Sequence, residues 1–430
     1  MNYSSKCPLA LAWLVDHVRE HSPYYAQLYR DLPKAGWTLA DLPMVDPHQY
    51  WARGAVLEGW PVLTGPVMDA IVYKTGGTTG AAKHSVYTQA EWDRFVTTFG
   101  RSLCAWLEPG DRVANLFFAG DLYASFLFIQ GALAKTQVPI CVFPFTGAVD
   151  PQALATQVGQ HGINVLAGVP GKLLHAIACL EQGGIQLPGV RTVLYGGESV
   201  FAEQHALFKA VLPNAKVVSI GCASVDAGLI GASTVDCAPG EHRVFEPDTL
   251  VEIVDEGSGE PIHEANRTGL LVVTNLTRSL MPVIRYPVGD LAQWTEAPGS
   301  ASRKFKLEGR SSLGHRVRVG YATLFPDELA VAIEERLGQC PWQLVIDRKN
   351  GTDFIVLRIA HPGDGGCAEA LLQALKAGDA AVVELMEKGA LVVSVSWCQP
   401  LDLLMNQRTG KLLRVVDRRD YQPLLEEAAR

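Results

Sequence analysis

Between Arg112 and Gly221 the sequence alternates short β-rich runs with longer helical patterns, and no other feature narrows the choice of fold as much. Strand candidates are Arg112 to Phe118, Gln137 to Phe143, Asn164 to Gly168, Arg191 to Tyr195 and Lys216 to Gly221. Helix candidates lie between them at Ala124 to Lys135, Pro151 to His161, Lys172 to Gln182 and Phe201 to Val211. Connections of that length suit right-handed crossovers, so the alternation predicts an α/β fold with a mostly parallel sheet flanked by helices. In such sheets ligands sit beyond the carboxyl ends of the strands.

The grammar changes near Leu250. Leu250 to Asp255 and Gly269 to Thr277 read as strands without a comparable helix between them, which predicts a β-rich subdomain at about 240–308. Beyond Gly309-Arg310 come a helix at Asp327 to Leu337, two strands about the turn Lys349-Asn350-Gly351, a helix at Ala368 to Lys376 and a strand at Leu391 to Trp397. This is the pattern of a small α+β unit. The expected division is an N-terminal domain over 1–310 and a C-terminal domain over 311–430.

Charge and cysteine usage remove several function classes. The 430 residues carry a net charge of −8, from 37 basic and 45 acidic residues, with no long basic run, so nucleic acid is not an expected partner. Met1 to Lys6 lacks the apolar core of a secretion signal and no apolar run approaches 18 residues. A cytoplasmic chain without a membrane partner is the expectation. The nine dispersed cysteines do not suggest a disulfide framework. Cys237 and His242, separated by Ala238-Pro239-Gly240-Glu241, offer two ligands for Zn2+; a closed structural site needs four, and no second close pair accompanies them.

The candidate chemistry begins at Lys74-Thr75-Gly76-Gly77-Thr78-Thr79-Gly80-Ala81-Ala82-Lys83, which follows the apolar run Ala70-Ile71-Val72-Tyr73. Glycines let backbone N–H groups approach an anion, threonines add donors, and lysine adds neutralising charge. The spacing does not fit the Walker loop, whose Lys and Ser/Thr directly follow its second glycine. A plain hairpin tip is the alternative.

Four further segments lie in turns or at strand ends. Tyr195-Gly196-Gly197-Glu198-Ser199 runs from a strand into paired glycines where a planar base could rest. In Gly221-Cys222-Ala223-Ser224-Val225-Asp226-Ala227-Gly228 small residues flank one carboxylate suited to Mg2+. Arg285-Tyr286-Pro287-Val288-Gly289-Asp290 reads as a loop offering a guanidinium and a carboxylate, the latter able to accept from ribose hydroxyls. Gln407-Arg408-Thr409-Gly410-Lys411 places a lysine on a glycine loop of the small domain. Each alone also reads as an ordinary turn, ion pair or solvated tail.

Together these motifs resemble the adenylate-forming ligase superfamily, most nearly its phenylacetate-coenzyme A ligase branch, over nearly the whole chain. Thr75 to Lys83 is similar to the superfamily's phosphate loop, Tyr195 to Glu198 to its adenine-side segment, and Arg285 to Asp290 to its ribose segment. Gly309-Arg310 resembles the start of its hinge, and Arg408 to Lys411 the loop of its catalytic lysine. The resemblance implies a mobile C-terminal lid and a reaction in which a carboxylate attacks the α-phosphate of ATP, giving an acyl-adenylate and pyrophosphate. It implies nucleotide contacts from Thr75, Gly76, Gly77, Thr78, Thr79, Gly80, Lys83, Gly196, Gly197, Glu198, Ser224, Asp290 and Arg310, Mg2+ on Asp226, and catalysis by Lys411 with Asp226.

Departures from the family pattern are equally specific. Ala82 replaces a proline, Cys222 and Asp226 stand where Tyr and Glu are usual, and Ser311-Ser312-Leu313 lacks the customary hinge Asp. The branch favours an aromatic or arylalkanoic acid and coenzyme A as acceptor. Short stretches at Ala114 to Phe117, Asn164 to Pro170 and Val416 to Arg419 are similar to indoleacetate-lysine synthetases, so an amine acceptor stays open, as do a carrier protein and a homodimeric assembly. An acyl pocket is expected from Phe117, Phe118, Ala119, Gly120, Tyr123, Gly168, Pro170 and Gly228.

Overall fold

The computed structural model describes residues 9–52, 56–74, 84–120, 122–197, 200, 202–310, 317–320, 322–324, 326–338, 340–361, 367–399, 402–404 and 415–419. Three N-terminal helices, α1 (Leu9–His21), α2 (Pro23–Leu28) and α3 (Pro47–Trp51), lead to an antiparallel hairpin of β1 (Ala70–Lys74) and β2 (His84–Thr88). The register pairs Lys74 with His84, so residues 75–83 connect the two strands. Helix α4 (Gln89–Leu103) follows directly. Its start is a capping box: Thr88 Oγ1 accepts from Glu91 N at 3.1 Å, and Glu91 Oε2 accepts from Thr88 N at 2.9 Å.

The predicted alternation appears as β3 (Arg112–Asn115), α5 (Ser125–Ala134), β4 (Cys141–Phe143), α6 (Pro151–His161), β5 (Val165–Gly168), α7 (Pro170–Gln182), β6 (Thr192–Tyr195), α8 (Ala202–Val211) and β7 (Lys216–Ser219). The five strands form a parallel sheet in the order β4-β3-β5-β6-β7. Side chains alternate across it. Val113, Val165 and Leu194 pack with Phe95 and Phe99 of α4 and Ile129 of α5 on one face, while Ala114, Leu166 and Val193 pack with Leu154 of α6, Ile177 of α7 and Phe208 of α8 on the other.

Ile220 alone separates β7 from the next sheet. That sheet is antiparallel, of seven strands in the order β11-β12-β13-β14-β10-β9-β8, built from β8 (Gly221–Ser224), β9 (Gly228–Ala232), β10 (Glu241–Val244), β11 (Thr249–Val254), β12 (Thr268–Asn275), β13 (Val283–Trp294) and β14 (Lys304–Arg310). The aromatic-rich helices α1 to α3 cover it, with Tyr25, Tyr50 and Trp51 in one core with Val273, Ile284 and Tyr286.

The C-terminal part begins with the short pair β15 (Val317–Val319) and β16 (Ala322–Leu324) and continues with α9 (Pro326–Leu337), β17 (Trp342–Lys349), β18 (Thr352–Ala360), α10 (Ala368–Gly378), α11 (Ala380–Glu387), β19 (Leu391–Cys398) and β20 (Val415–Asp417). Strands β17 and β18 form the hairpin expected about Asn350-Gly351, in a sheet ordered β19-β18-β17-β20 with its own apolar core. His175 of α7 meets Glu384 of α11 at 3.4 Å, a contact between the two parts. Among the described residues no helix is long and apolar enough to cross a membrane.

Candidate active site

The ends of four parallel strands step across one edge of the sheet. Leu116 N donates to Ala167 O at 2.7 Å, Gly196 N to Gly168 O at 3.3 Å, and Ile220 N to Tyr195 O at 2.8 Å. Phe117, Gly168, Gly196 and the entry to Gly221 therefore lie side by side at the carboxyl edge, where α/β sheets bind ligands. The backbone must pass close at Gly196: a Cβ there would stand 2.5 Å from Ile220 Cδ1. Gly197 has a φ of +85° and is exposed, as a strand-to-turn glycine should be.

The β1–β2 hairpin is fastened to this edge at two points. Lys74 N donates to Leu122 O at 2.9 Å, joining the hairpin to the loop after β3. On the other strand, Ser85 Oγ and Tyr87 Oη both donate to Val225 O, at 2.6 and 2.7 Å. The described ends of β1 and β2 are therefore tied to the loop after β3 and to the turn that carries Asp226.

That turn is held almost entirely by side chains. Asp226 Oδ1 accepts from Ser224 Oγ at 2.7 Å and Ala227 N at 3.1 Å, and Oδ2 accepts from Tyr286 Oη at 3.0 Å. Asp226 O accepts from Arg278, and Ala227 O from Asn275 Nδ2 at 2.9 Å. The half-buried carboxylate keeps about one of its roughly four acceptor positions unused. A single such carboxylate fits Mg2+, which takes one or two protein oxygens and completes its shell with water and phosphate. The Ser224 hydroxyl donates to Asp226 Oδ1 and accepts from Ala227 N at 3.0 Å, within the turn.

Arg285 differs from the expectation of an accessible loop guanidinium. It lies within β13, is 4% exposed, and pairs with Glu252 at 3.0 Å while donating to Ala40 O and Leu42 O. Burial pushes the Glu252 carboxyl up, and the Arg285 charge opposes that shift. Arg285 therefore fastens the N-terminal segment to the sheet. Its neighbour Asp290 is half-buried, also within β13, and is in register with Arg310 of β14. The candidate ribose-binding residue and the candidate hinge residue are cross-strand partners.

The expected acyl-pocket residues divide. Phe118, Ala119, Gly120 and Tyr123 are partly or fully exposed in the loop after β3, and Lys172 Nζ lies 5.6 Å from the centre of the Phe118 ring. The Phe117 ring instead is 3% exposed and belongs to the core, and Gly168 and Pro170 are buried where β5 enters α7. Gly228 is buried too: its φ is +79°, and a Cβ would stand 2.4 Å from Asn275 Nδ2. These four are buried, whereas the residues of the loop after β3 are accessible.

His242 is 4% exposed beside Phe305 at 5.7 Å, and its Nδ1 has no partner among the described residues. Burial pushes its pKa down to about 4. Cys237 bonds Thr234 at 3.1 Å. Among the described residues no three His, Cys, Asp or Glu side chains gather as a metal cluster, so the expectation of Zn2+ on Cys237 and His242 gains no further ligands. Thr75, Gly76, Gly77, Thr78, Thr79, Gly80, Lys83, Glu198 and Lys411 lie outside the described residues. Sequence reasoning did not single out Arg278, Asn275, Tyr87 or Trp51, and quoted Tyr286 without a role; each acts through a partner remote in sequence, which no local motif signals.

A family model described as AMP-binding enzyme matches residues 58–281, more than half the chain. The phenylacetate-coenzyme A ligase of Aromatoleum evansii is 24% identical over 426 residues, covering 95% of this chain and 93% of that protein. The phenylacetate-coenzyme A ligase of Thermus thermophilus is 27% identical over 291 residues, 65% of this chain and 62% of that protein. Among solved structures, a 2-hydroxyisobutyryl-CoA ligase in complex with 2-HIB-AMP and CoA superposes with a TM-score of 0.69 at 19% identity, over 96% of this chain and 89% of that one. At that identity the likeness concerns the fold.

Proposed function

Because the chain belongs to the family of AMP-binding enzymes, we propose that it uses ATP to convert a carboxylic acid to an acyl-adenylate and then transfers the acyl group to coenzyme A. The observation that carries this reading is the arrangement at the carboxyl edge. The strands β1 and β2, the Gly196-Gly197 turn and the turn that carries Asp226 come to that edge from separate parts of the sequence. The relatives named as phenylacetate-coenzyme A ligases, one aligned over 95% of the chain, support the acceptor and favour an aromatic or arylalkanoic acid.

In the first half-reaction a carboxylate oxygen attacks the α-phosphorus, the bond to the β-phosphate breaks, and pyrophosphate leaves. Both reactants are anions, so the residues must offset their repulsion where charge shifts. Thr75 to Gly80 with Lys83 take the β- and γ-phosphates. Gly196, Gly197 and Glu198 border the adenine, and Asp290 accepts from the ribose hydroxyls, with Arg310 beside it. Asp226 would hold Mg2+, which when bound neutralises phosphate charge. Lys411, delivered by the domain over 311–430, bridges acyl and phosphate oxygens. In the second half-reaction the thiol sulfur attacks the acyl carbon, AMP leaves with the former carboxylate oxygen, and the thiol proton is released. Phe118, Ala119, Gly120 and Tyr123 border the acyl group.

The test is pyrophosphate release with ATP, Mg2+ and a panel of aromatic, arylalkanoic and short hydroxy acids. The best acid is then offered coenzyme A, amino acids or a phosphopantetheinylated carrier protein. An acyl-coenzyme A product is expected. Acid-independent ATP turnover, or an amide as sole product, would overturn the corresponding half of the proposal.

A further inference from the structure

The aromatic cluster beneath β13 contains one hydroxyl that leaves the core to meet a carboxylate of the site. Tyr25 and Tyr50 donate their hydroxyls to Pro282 O, at 3.0 and 2.9 Å, and Trp60 donates to Tyr50 O at 3.0 Å. These bonds stay within the cluster and the backbone beside it. Tyr286 differs: its oxygen receives Trp51 Nε1–H at 2.9 Å and sits 3.0 Å from Asp226 Oδ2.

The direction of this chain follows from chemistry alone. An indole nitrogen only donates, so Tyr286 Oη must accept from Trp51 and has its own hydrogen left for Asp226. Trp51 is 6% and Tyr286 4% exposed, so water does not compete for either group. Asp226 Oδ1 is meanwhile held by Ser224 Oγ and Ala227 N. Both carboxylate oxygens are therefore fixed before any nucleotide arrives.

We infer that Tyr286, itself oriented by Trp51, is a positioning residue for Asp226 and fixes the one acceptor lobe that carboxylate keeps for the nucleotide-bound cation. The inference rests on the reading of the chain as an adenylate-forming ligase. It gives a role to the short side chain at position 226: with three donors on it, the carboxylate is rigid, and rigidity replaces reach.

The test compares Tyr286→Phe and Trp51→Phe with the parent full-length chain by Mn2+ binding, read by electron paramagnetic resonance in the presence of α,β-methylene-ATP. This measurement requires no acid substrate. Tyr286→Phe keeps the ring and removes the hydroxyl, so folding is checked by its thermal transition. A loss of cation affinity of about 10- to 100-fold is expected, the usual effect of removing a group that orients a metal ligand. Trp51→Phe should lose affinity in the same direction but less, and it carries the test alone if Tyr286→Phe does not fold. Single-turnover adenylate formation should fall more than thioester formation from a supplied adenylate; a general weakening of the fold would lower both alike. Cation binding within twofold of the parent in a folded variant overturns the positioning role while leaving the ligase reading intact. A parent chain that binds Mn2+ with the analogue but shows no acid-dependent pyrophosphate release overturns the ligase reading instead. A parent chain that does not bind the pair overturns both.

Discussion

The guanidinium of Arg278 lies 4.0 Å from the centre of the Tyr87 ring, and both side chains are bonded to the turn that carries Asp226. Arg278 is 1% exposed. It donates to Val86 O at 2.7 Å, to Ser85 Oγ at 3.2 Å and to the Asp226 carbonyl, so one buried cation joins β2, the Asp226 turn and the segment before β13. Burial pushes the Tyr87 phenol up to about 12, and the Arg278 charge opposes that shift.

Arg278→Met should therefore destabilise the fold. Methionine fills similar space and removes the cost of burying a charge, but it leaves Val86 O and Asp226 O without these donors. At about 1–3 kcal/mol for each such buried group, a loss of roughly 3 kcal/mol is expected in urea denaturation. A variant within about 1 kcal/mol of the parent would mean that relieved desolvation balances the lost bonds.

Gly228→Ala should be disproportionately harmful for one added methyl group. The position has a φ of +79°, and the new Cβ would meet Asn275 Nδ2 at 2.4 Å, the atom that holds Ala227 O. A destabilisation of about 1–3 kcal/mol is expected from overpacking and backbone strain together. Adenylate formation should fall with it, because Asp226 lies two residues away. Unchanged thermal stability and pyrophosphate exchange would refute this.

Stability should depend on pH through His242. Its folded pKa is near 4, below the ordinary histidine value of 6.5, so the unfolded chain binds the proton more readily. The stabilisation is fully present above about pH 6.5 and declines as pH falls toward 4. At pH 5 the loss from this group should be about 2 kcal/mol relative to pH 7. His242→Gln, which cannot titrate in this range, should reduce the difference in urea stability between those pH values. An identical difference in both proteins would exclude His242 as its source.

Lys411→Ala should lower acid-dependent adenylate formation by about 100-fold or more, on the scale of losing a preorganised donor to developing charge. ATP binding should change much less if, as proposed, the lysine acts on charge that shifts during reaction. Acid-dependent ATP/pyrophosphate exchange at near-parental rate would remove Lys411 from the mechanism.

Much of this architecture was legible because it is written locally. Alternating patterns announced β3 to β7 with their helices to within a few residues, and the turn at Asn350-Gly351 marked the β17–β18 hairpin. Helix α4 went unmarked, since Thr97, Thr98 and Gly100 weaken its helical signal; its capping box and the packing of Phe95 and Phe99 outweigh that. Arg285 was misjudged as an accessible loop residue because composition does not tell a turn from a bulged strand, and only the fold brings Glu252 and the carbonyls of Ala40 and Leu42 around it.

The sequence by itself determined the family, the order of its motifs and the residue types available for phosphate, ribose and carboxylate chemistry, since these depend on short segments with local spacing. The tertiary structure decided how those groups are held. Trp51, Tyr286 and Asp226 are far apart along the chain, and nothing in their surroundings in sequence links them. Their juxtaposition arises because α3 packs on the sheet that contains β13, while β8 delivers Asp226 to the same edge. A hydrogen bond is specified by two partners in space, so its existence is a property of packing and not of either segment alone.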